Sequence, residues 1–162
     1  MSNQVLKRKV QVWVVFRAPG RPVQVLILKT RKDRGAFWQP VTGGVEPGEA
    51  SVDAAFREVC EETSIKRLSQ PRPLKTVFRF QSRWGHPVSE RGYWIEAHVE
   101  DGQAKPPQVK IDPHEHVDSE WVSIAAARRK IYFESNRKLL DLVAQKIRNR
   151  ACLNSKKSSK KS

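Results

Sequence analysis

The sequence predicts an α/β fold in which helices cover both faces of one β-sheet, and three observations lead there. Val10 to Phe16 and Val23 to Leu28 are short, β-branched runs whose apolar content is too dense for a sheet with one wet face. From Glu49 onward the apolar residues change to a helical period, and a second helical stripe closes the chain between Ser135 and Ile147. The 162 residues and 38% hydrophobic content suit one domain with a single modest core, placed at residues 1–150, followed by a basic tail at residues 151–162.

The first two runs flank Arg17-Ala18-Pro19-Gly20-Arg21-Pro22 and read as a hairpin with a loop of several residues. Lys29 to Gly35 is a basic loop. The two prolines and three glycines of FWQPVTGGVEPGE, starting at Phe37, forbid a long regular element, so a shaped loop is expected there. Val52, Ala55, Phe56, Val59 and Cys60 make one apolar stripe on a helix from Ser51 to Thr63, with Ser51 placed to cap it. Leu74, Thr76, Phe78 and Phe80 alternate with Lys75, Val77 and Arg79 as in a strand. Gln81 to Arg91 is expected as a turn-rich loop, Tyr93 to Val99 as a strand, and Glu100 to Pro113 as a long polar connection. Glu120 to Ser123 reads as a brief strand before a helical turn from Ile124 to Arg129. The last helix buries Leu139, Leu140, Val143, Ala144 and Ile147, with Ser135 or Asn136 near its cap. Residues 154–162, NSKKSSKKS, can bury nothing and are expected to be disordered.

The composition excludes several classes. Apolar runs fall far short of the roughly 20 residues that cross a bilayer, and no secretory signal follows Met1 to Lys9. Cys60 and Cys152 alone make neither a disulfide framework nor a cysteine-rich zinc site. A cytoplasmic protein without membrane contact is expected, and monomer and homodimer both stay open.

Charge is distributed unevenly. The chain carries +14, and seven Lys or Arg with no acid lie between Lys146 and Ser162. Within Gly43 to Ile65, by contrast, six acids face only Arg57. Carboxylates this dense disfavour one another's ionisation unless a cation offsets them. A divalent-metal site and a solvated helix face are the two readings. Glu58, Glu61 and Glu62 lie at i, i+3 and i+4, so they converge along one face.

The string Gly43, Glu49, then Arg57-Glu58-Val59-Cys60-Glu61-Glu62-Thr63-Ser64-Ile65 resembles the signature box of the Nudix pyrophosphohydrolases. Ser64 stands where that pattern has glycine, at a helix exit where a positive φ would strain it. The resemblance implies a Nudix fold, an α/β/α sandwich around a mixed β-sheet. It also implies Mg²⁺ or Mn²⁺ held by Glu58, Glu61 and Glu62, with a backbone carbonyl near Thr42 or Gly43 completing the shell. Arg57 would organise a box carboxylate and Glu49 would hold the loop to the helix. Glu115, with Glu120 second, is the candidate for a further acidic ligand or base from a later loop. Water activation falls to Glu58, Glu61 or Glu115. His114 and His116 flank Glu115 and read as solvent-facing or helix-neighbouring rather than as zinc ligands.

The order of segments, and Trp121 followed by Ser135-Asn136-Arg137, is most similar to bacterial Nudix enzymes acting on dATP and dihydroneopterin triphosphate. That resemblance implies cleavage between the α and β phosphates of a nucleoside or pterin triphosphate. A bound ring would stack on Trp38, Phe80, Trp84 or Tyr132, and Lys29, Arg31, Lys32 and Arg34 would steer the polyphosphate. An alternative substrate is the 5′-triphosphate end of RNA, whose many phosphates would engage Lys7, Arg8, Lys9 and the lysines from Lys156 to Lys161. A noncatalytic RNA-binding module is the third reading, and the intact carboxylates oppose it.

Overall fold

The β-branched runs pair as their pattern demands. In the computed structural model, which describes residues 5–158 and side chains as far as residue 155, β1 (Lys7–Phe16) and β2 (Gln24–Thr30) form the expected antiparallel hairpin. β3 (Trp38–Gln39) and β4 (Val41–Gly44) follow, then α1 (Ser51–Thr63), β5 (Arg72–Gln81), β6 (Pro87–Ala97), β7 (His116–Ser123), α2 (Ile124–Lys130) and α3 (Glu134–Ser158). The sheet order is β3-β2-β1-β6-β5, with β4 added beside β1 and β7 beside β2. β1 runs parallel to β6 and antiparallel to its other neighbours, so the sheet is mixed.

Alternation along β1 divides the core. Val10, Val12 and Val14 join Ala54, Ala55 and Val59 of α1 in one cluster. Trp13 and Val15 join Leu139, Leu140 and Val143 of α3 in the other. All five residues of the expected α3 stripe are buried. Gly92 on β6 makes this contact possible, because a Cβ there would collide with the buried Leu139 side chain. The helix therefore rests directly on the strand.

Several expectations are corrected. FWQPVTGGVEPGE contains two short strands, which Pro40, lacking an N–H, interrupts. Gln81 to Arg91 is mostly strand: only a tight turn near Gly85 separates β5 from β6, and the polar residues of β6 concealed its alternation. β6 stops at Ala97, before Val99. Val52 is exposed, and the buried face of α1 runs instead through Ser51, Ala54, Ala55, Val59 and Glu62. Ser51 is not the cap. Ala50 holds that position, and the Ser51 hydroxyl accepts a hydrogen bond from Arg8 at 2.9 Å. α3 starts one residue before Ser135 and continues to Ser158, so residues 154–158 of the expected disordered tail are helical. The residues beyond Ile147 are exposed as far as side chains are described. Lys160 and Lys161, and the side chains of Lys156 and Lys157, lie outside the described residues. Among the described residues, no helix is long and apolar enough to cross a membrane.

Gly92→Ala is expected to cost about 1–3 kcal/mol of unfolding free energy, because the added methyl overpacks a site with no room to yield. Urea denaturation checks this, and a change under a few tenths of a kcal/mol contradicts it.

Candidate active site

The loop after β4 and the first turns of α1 are joined by one guanidinium. Arg57 donates from Nε and Nη2 to the two carboxylate oxygens of Glu49, at 2.8 and 3.0 Å, in a bidentate pair. Its Nη1 reaches Glu58 at 2.9 Å and Glu61 at 3.0 Å, and Nη2 also donates to the Gly44 carbonyl at 2.9 Å. Glu49 in turn accepts from the Glu46 amide at 2.9 Å, which ties it to its own loop. The Arg57 hydrogen bond is the main reason that the Glu49 carboxyl is held down at about 2. Arg57 itself is pushed above its ordinary value, chiefly by Glu49.

The box glutamates differ in depth. Glu61 is largely exposed, Glu58 is mostly covered, and Glu62 is buried. Glu58 lies against Gly43, where any Cβ would overlap its carboxylate. Burial raises the Glu58 carboxyl, with Arg57 opposing. At Glu62 burial pushes the carboxyl up to about 7, with the hydrogen bond and charge of His116 opposing. His116, from the start of β7, places Nε2 3.0 Å from Glu62 and is itself buried. α1 ends at Ser64 in the left-handed conformation, φ 57°, so serine does occupy the strained exit.

Glu115 arrives from the preceding loop as expected. Ligand atoms of Glu62, Glu115 and His116 lie within 4.8 Å of one another. This donor set, dominated by carboxylate oxygen and adjoined by Glu58, fits a divalent cation. Glu120 stands apart on β7, paired with Lys130, and His114 is exposed. Arg34 pairs with Glu115 at 3.3 Å and Arg31 with Asp33 at 3.0 Å.

Across the sheet from α1 lies a cleft of about 590 Å³, lined by none of Glu58, Glu61, Glu62 and Glu115. Of the four aromatics expected to stack a ring, Phe80 alone lines it. Phe78 joins it from the same strand, and Phe37 and Phe133, in edge contact with each other, line it as well. Tyr132 sits behind, stacked on Phe37 with centroids 5.6 Å apart. Lys29 and Lys130 each set an ammonium group over the Trp38 ring, and Trp84 projects from the β5–β6 turn against Arg83. Thr42 lines the cleft and precedes Gly43, so the cleft and the acids share one strand. Two of the cleft's buried polar residues, Glu90 and Asn136, were not recognised as site residues, and Lys9 was read only as a contact to RNA phosphates. Their neighbour Gln11 was the available signal, since a glutamine inside an apolar strand needs polar company.

The NUDIX domain profile matches residues 6–143. The chain belongs to the Nudix family. It is a hydrolase acting on phosphoric anhydride bonds. The chain is 34% identical over 146 residues to the dihydroneopterin triphosphate diphosphatase of Escherichia coli, covering 87% of this chain and 95% of that protein. The solved structure of the E. coli dihydroneopterin triphosphate pyrophosphohydrolase superposes with a TM-score of 0.64 at 29% identity, covering 85% of this chain and 95% of that one. An octanoyltransferase of Myxococcus xanthus is 31% identical over 125 residues, which are 76% of this chain and 33% of that protein, so the Nudix chain spans about a third of its length.

Gly43→Ala should fold yet lose turnover by about tenfold or more, because the methyl displaces the Glu58 carboxylate. Steady-state kinetics beside a thermal melt test it, and wild-type turnover contradicts it. Glu62 supplies a stability signature. Its folded carboxyl, at about 7, exceeds the ordinary 4.5, so the folded state keeps a proton that the unfolded chain releases. The stability this proton supplies is present below about 4.5 and lost as pH rises through about 7. Glu62→Gln should therefore stabilise the metal-free protein at pH 8 by about 1–3 kcal/mol, and by less at pH 5. Urea unfolding at both values checks the difference, and an equal gain at both contradicts it.

Proposed function

We propose that this Nudix protein is a divalent-metal-dependent pyrophosphohydrolase that cleaves a nucleoside or pterin triphosphate between the α and β phosphates, leaving a monophosphate and pyrophosphate. The observation that carries this reading is the shared strand. Thr42 borders a largely apolar cleft, and Gly43 beside it receives the Glu58 carboxylate on the other face, so successive residues of β4 offer a planar head group and a polyphosphate tail unlike environments. The E. coli relative, similar over nearly its full length, carries a name of this substrate class.

Glu58, Glu61, Glu62 and Glu115 would hold Mg²⁺ or Mn²⁺, which offsets phosphate charge and lowers the pKa of bound water. The protein's own groups set the rest. Arg57 fixes the Glu49, Glu58 and Glu61 carboxylates in place before substrate arrives, so little reorganisation is left to the reaction. Glu58, Glu61 or the half-exposed Glu115 would take a proton from an attacking water, and Glu62, buried beside His116 Nε2, would act chiefly as a ligand.

With Mg²⁺ or Mn²⁺, the purified protein should release pyrophosphate from at least one of dihydroneopterin triphosphate, the dNTPs and the NTPs. Glu62→Gln should lower kcat by about 10²-fold or more. Release from none of these overturns the small-substrate reading, and turnover confined to triphosphorylated RNA in the same panel would replace it with the RNA end.

A further inference from the structure

The cleft has a polar floor whose hydrogen-bonding direction can be worked out. Glu90 and Asn136 line it, and each is buried, at 5% and 4% exposure. Between them, Gln11 donates from Nε2 to Glu90 Oε1 at 3.1 Å and to Asn136 Oδ1 at 2.7 Å. An ionised carboxylate only accepts, so with Glu90 ionised Gln11 must turn its amide nitrogen to Glu90 and Asn136, which leaves Gln11 Oε1 without a partner among the described residues. The second Nε2 hydrogen then requires an oxygen, which Asn136 provides. Asn136 is left with its Nδ2 donor pair, and that nitrogen has no partner among the described residues. Burial raises the Glu90 carboxyl, and Lys9, its register partner on β1 and also at the cleft, opposes that rise together with the Gln11 hydrogen bond.

Phe78, Phe80, Phe37 and Phe133 line the same cleft. The site therefore offers aromatic surface to a flat ring, with a carboxylate acceptor and an amide donor in the same lining. A buried Nδ2 without a partner costs free energy unless a ligand completes it.

We infer that Glu90 and Asn136 read the 2-amino-4-oxopyrimidine edge that guanine and pterin share. The ring N–H and the exocyclic amino group donate to Glu90, while the exocyclic carbonyl oxygen accepts from Asn136 Nδ2. Adenine reverses the pattern: its ring nitrogen sets an acceptor against the carboxylate, and its amino group sets a donor against Nδ2. The cleft thus selects against adenine by leaving buried groups unpaired rather than by size. This rests on the proposed triphosphate reading for the adjoining acids, but it concerns the ring alone. A binding measurement therefore stands or falls separately from hydrolysis.

The test is isothermal titration of the full chain, with Mg²⁺, using the α,β-methylene analogues of dGTP and dATP. Dihydroneopterin monophosphate is titrated separately, so that guanine and pterin are distinguished by their own Kd values. Wild-type protein should bind the guanine analogue about tenfold or more tighter than the adenine analogue. Glu90→Gln, which puts donors where the carboxylate only accepted, should bring the two within about threefold. Asn136→Ser, which removes the amide donors, should narrow the ratio in the same direction if Glu90→Gln fails to fold. Phe80→Ala, at the exposed rim, should weaken both analogues alike. A wild-type ratio near one or favouring adenine, a ratio unchanged in the folded floor variants, or Phe80→Ala binding both analogues as wild type does would each overturn the assignment.

Discussion

The alternation of side chains along β1 is the constraint on which the site depends. A strand sends successive residues to opposite faces, and β1 is paired with β4 on one side and β6 on the other. Val10 points to α1 and is the register partner of Gly43, the residue that receives Glu58. Gln11 points to α3 and is the register partner of Thr42, which borders the cleft. Adjacent residues thus anchor the acidic helix on one face of the sheet and the ring cleft on the other. A one-residue slip of β1 would exchange them, burying Gln11 under α1 and leaving Asn136 and Glu90 without their bridge.

The acidic face of α1 is assembled against its own electrostatics. Three box carboxylates on one helical stripe repel, and covering Glu58 and Glu62 raises both. Arg57 compensates the outer part of the cluster, and its bidentate grip on Glu49 makes the loop and helix one body. Glu62 is beyond its reach and has His116 instead, on a strand that joins the sheet through β2. Two separate parts of the chain therefore have to fold before the innermost carboxylate has a partner. The cost of holding it in its covered position falls on folding, as is common where a protein keeps a strained or charged group ready for chemistry.

The hydrophobic frame was legible in the sequence because periodicity records it directly. β1, β2 and the stripe of α3 were read from their apolar spacing, and the box carboxylates from theirs. What escaped had weaker local signals. Ser51 has the chemistry of a cap, but Arg8, 43 residues earlier, takes its hydroxyl. Val52 has the chemistry of a core residue, but the helix turns Ser51 and Ala54 inward instead. Glu90 looked like loop polarity because a buried glutamate breaks the alternation of β6, and only the fold brings Gln11 and Asn136 to it. Trp38, Trp84 and Tyr132 were plausible ring platforms by composition, yet lysines, a turn and Phe37 hold them away from the cleft. Long-range polar pairing and the outward or inward sense of a loop aromatic leave no periodic trace.

The chain's basicity has a partly architectural origin, which changes what it says about substrate size. Glu96 on β6 is mostly covered and accepts from Arg17, Arg72 and Arg150, at 2.6, 3.0 and 3.3 Å. Burial pushes that carboxyl up, yet the Arg17 and Arg72 hydrogen bonds and charges outweigh it and hold it low. Arg72 and Arg150 also lie over the Trp94 ring, at 4.7 and 5.7 Å from its centroid. Through Arg150, this knot fastens the exposed extension of α3 to the sheet, a task that the apolar stripe cannot perform beyond Ile147. Along β5, Arg72 is eight residues from Phe80, which puts the knot roughly 25 Å from the cleft rim. That separation exceeds the screening length of about 8 Å at physiological salt, so these guanidiniums contribute little to the field at the cleft. A small triphosphate would gain little from them. Only a polyanion long enough to extend from the acids across β5 would meet them, and their commitment to Glu96 and Trp94 reduces what they could offer it.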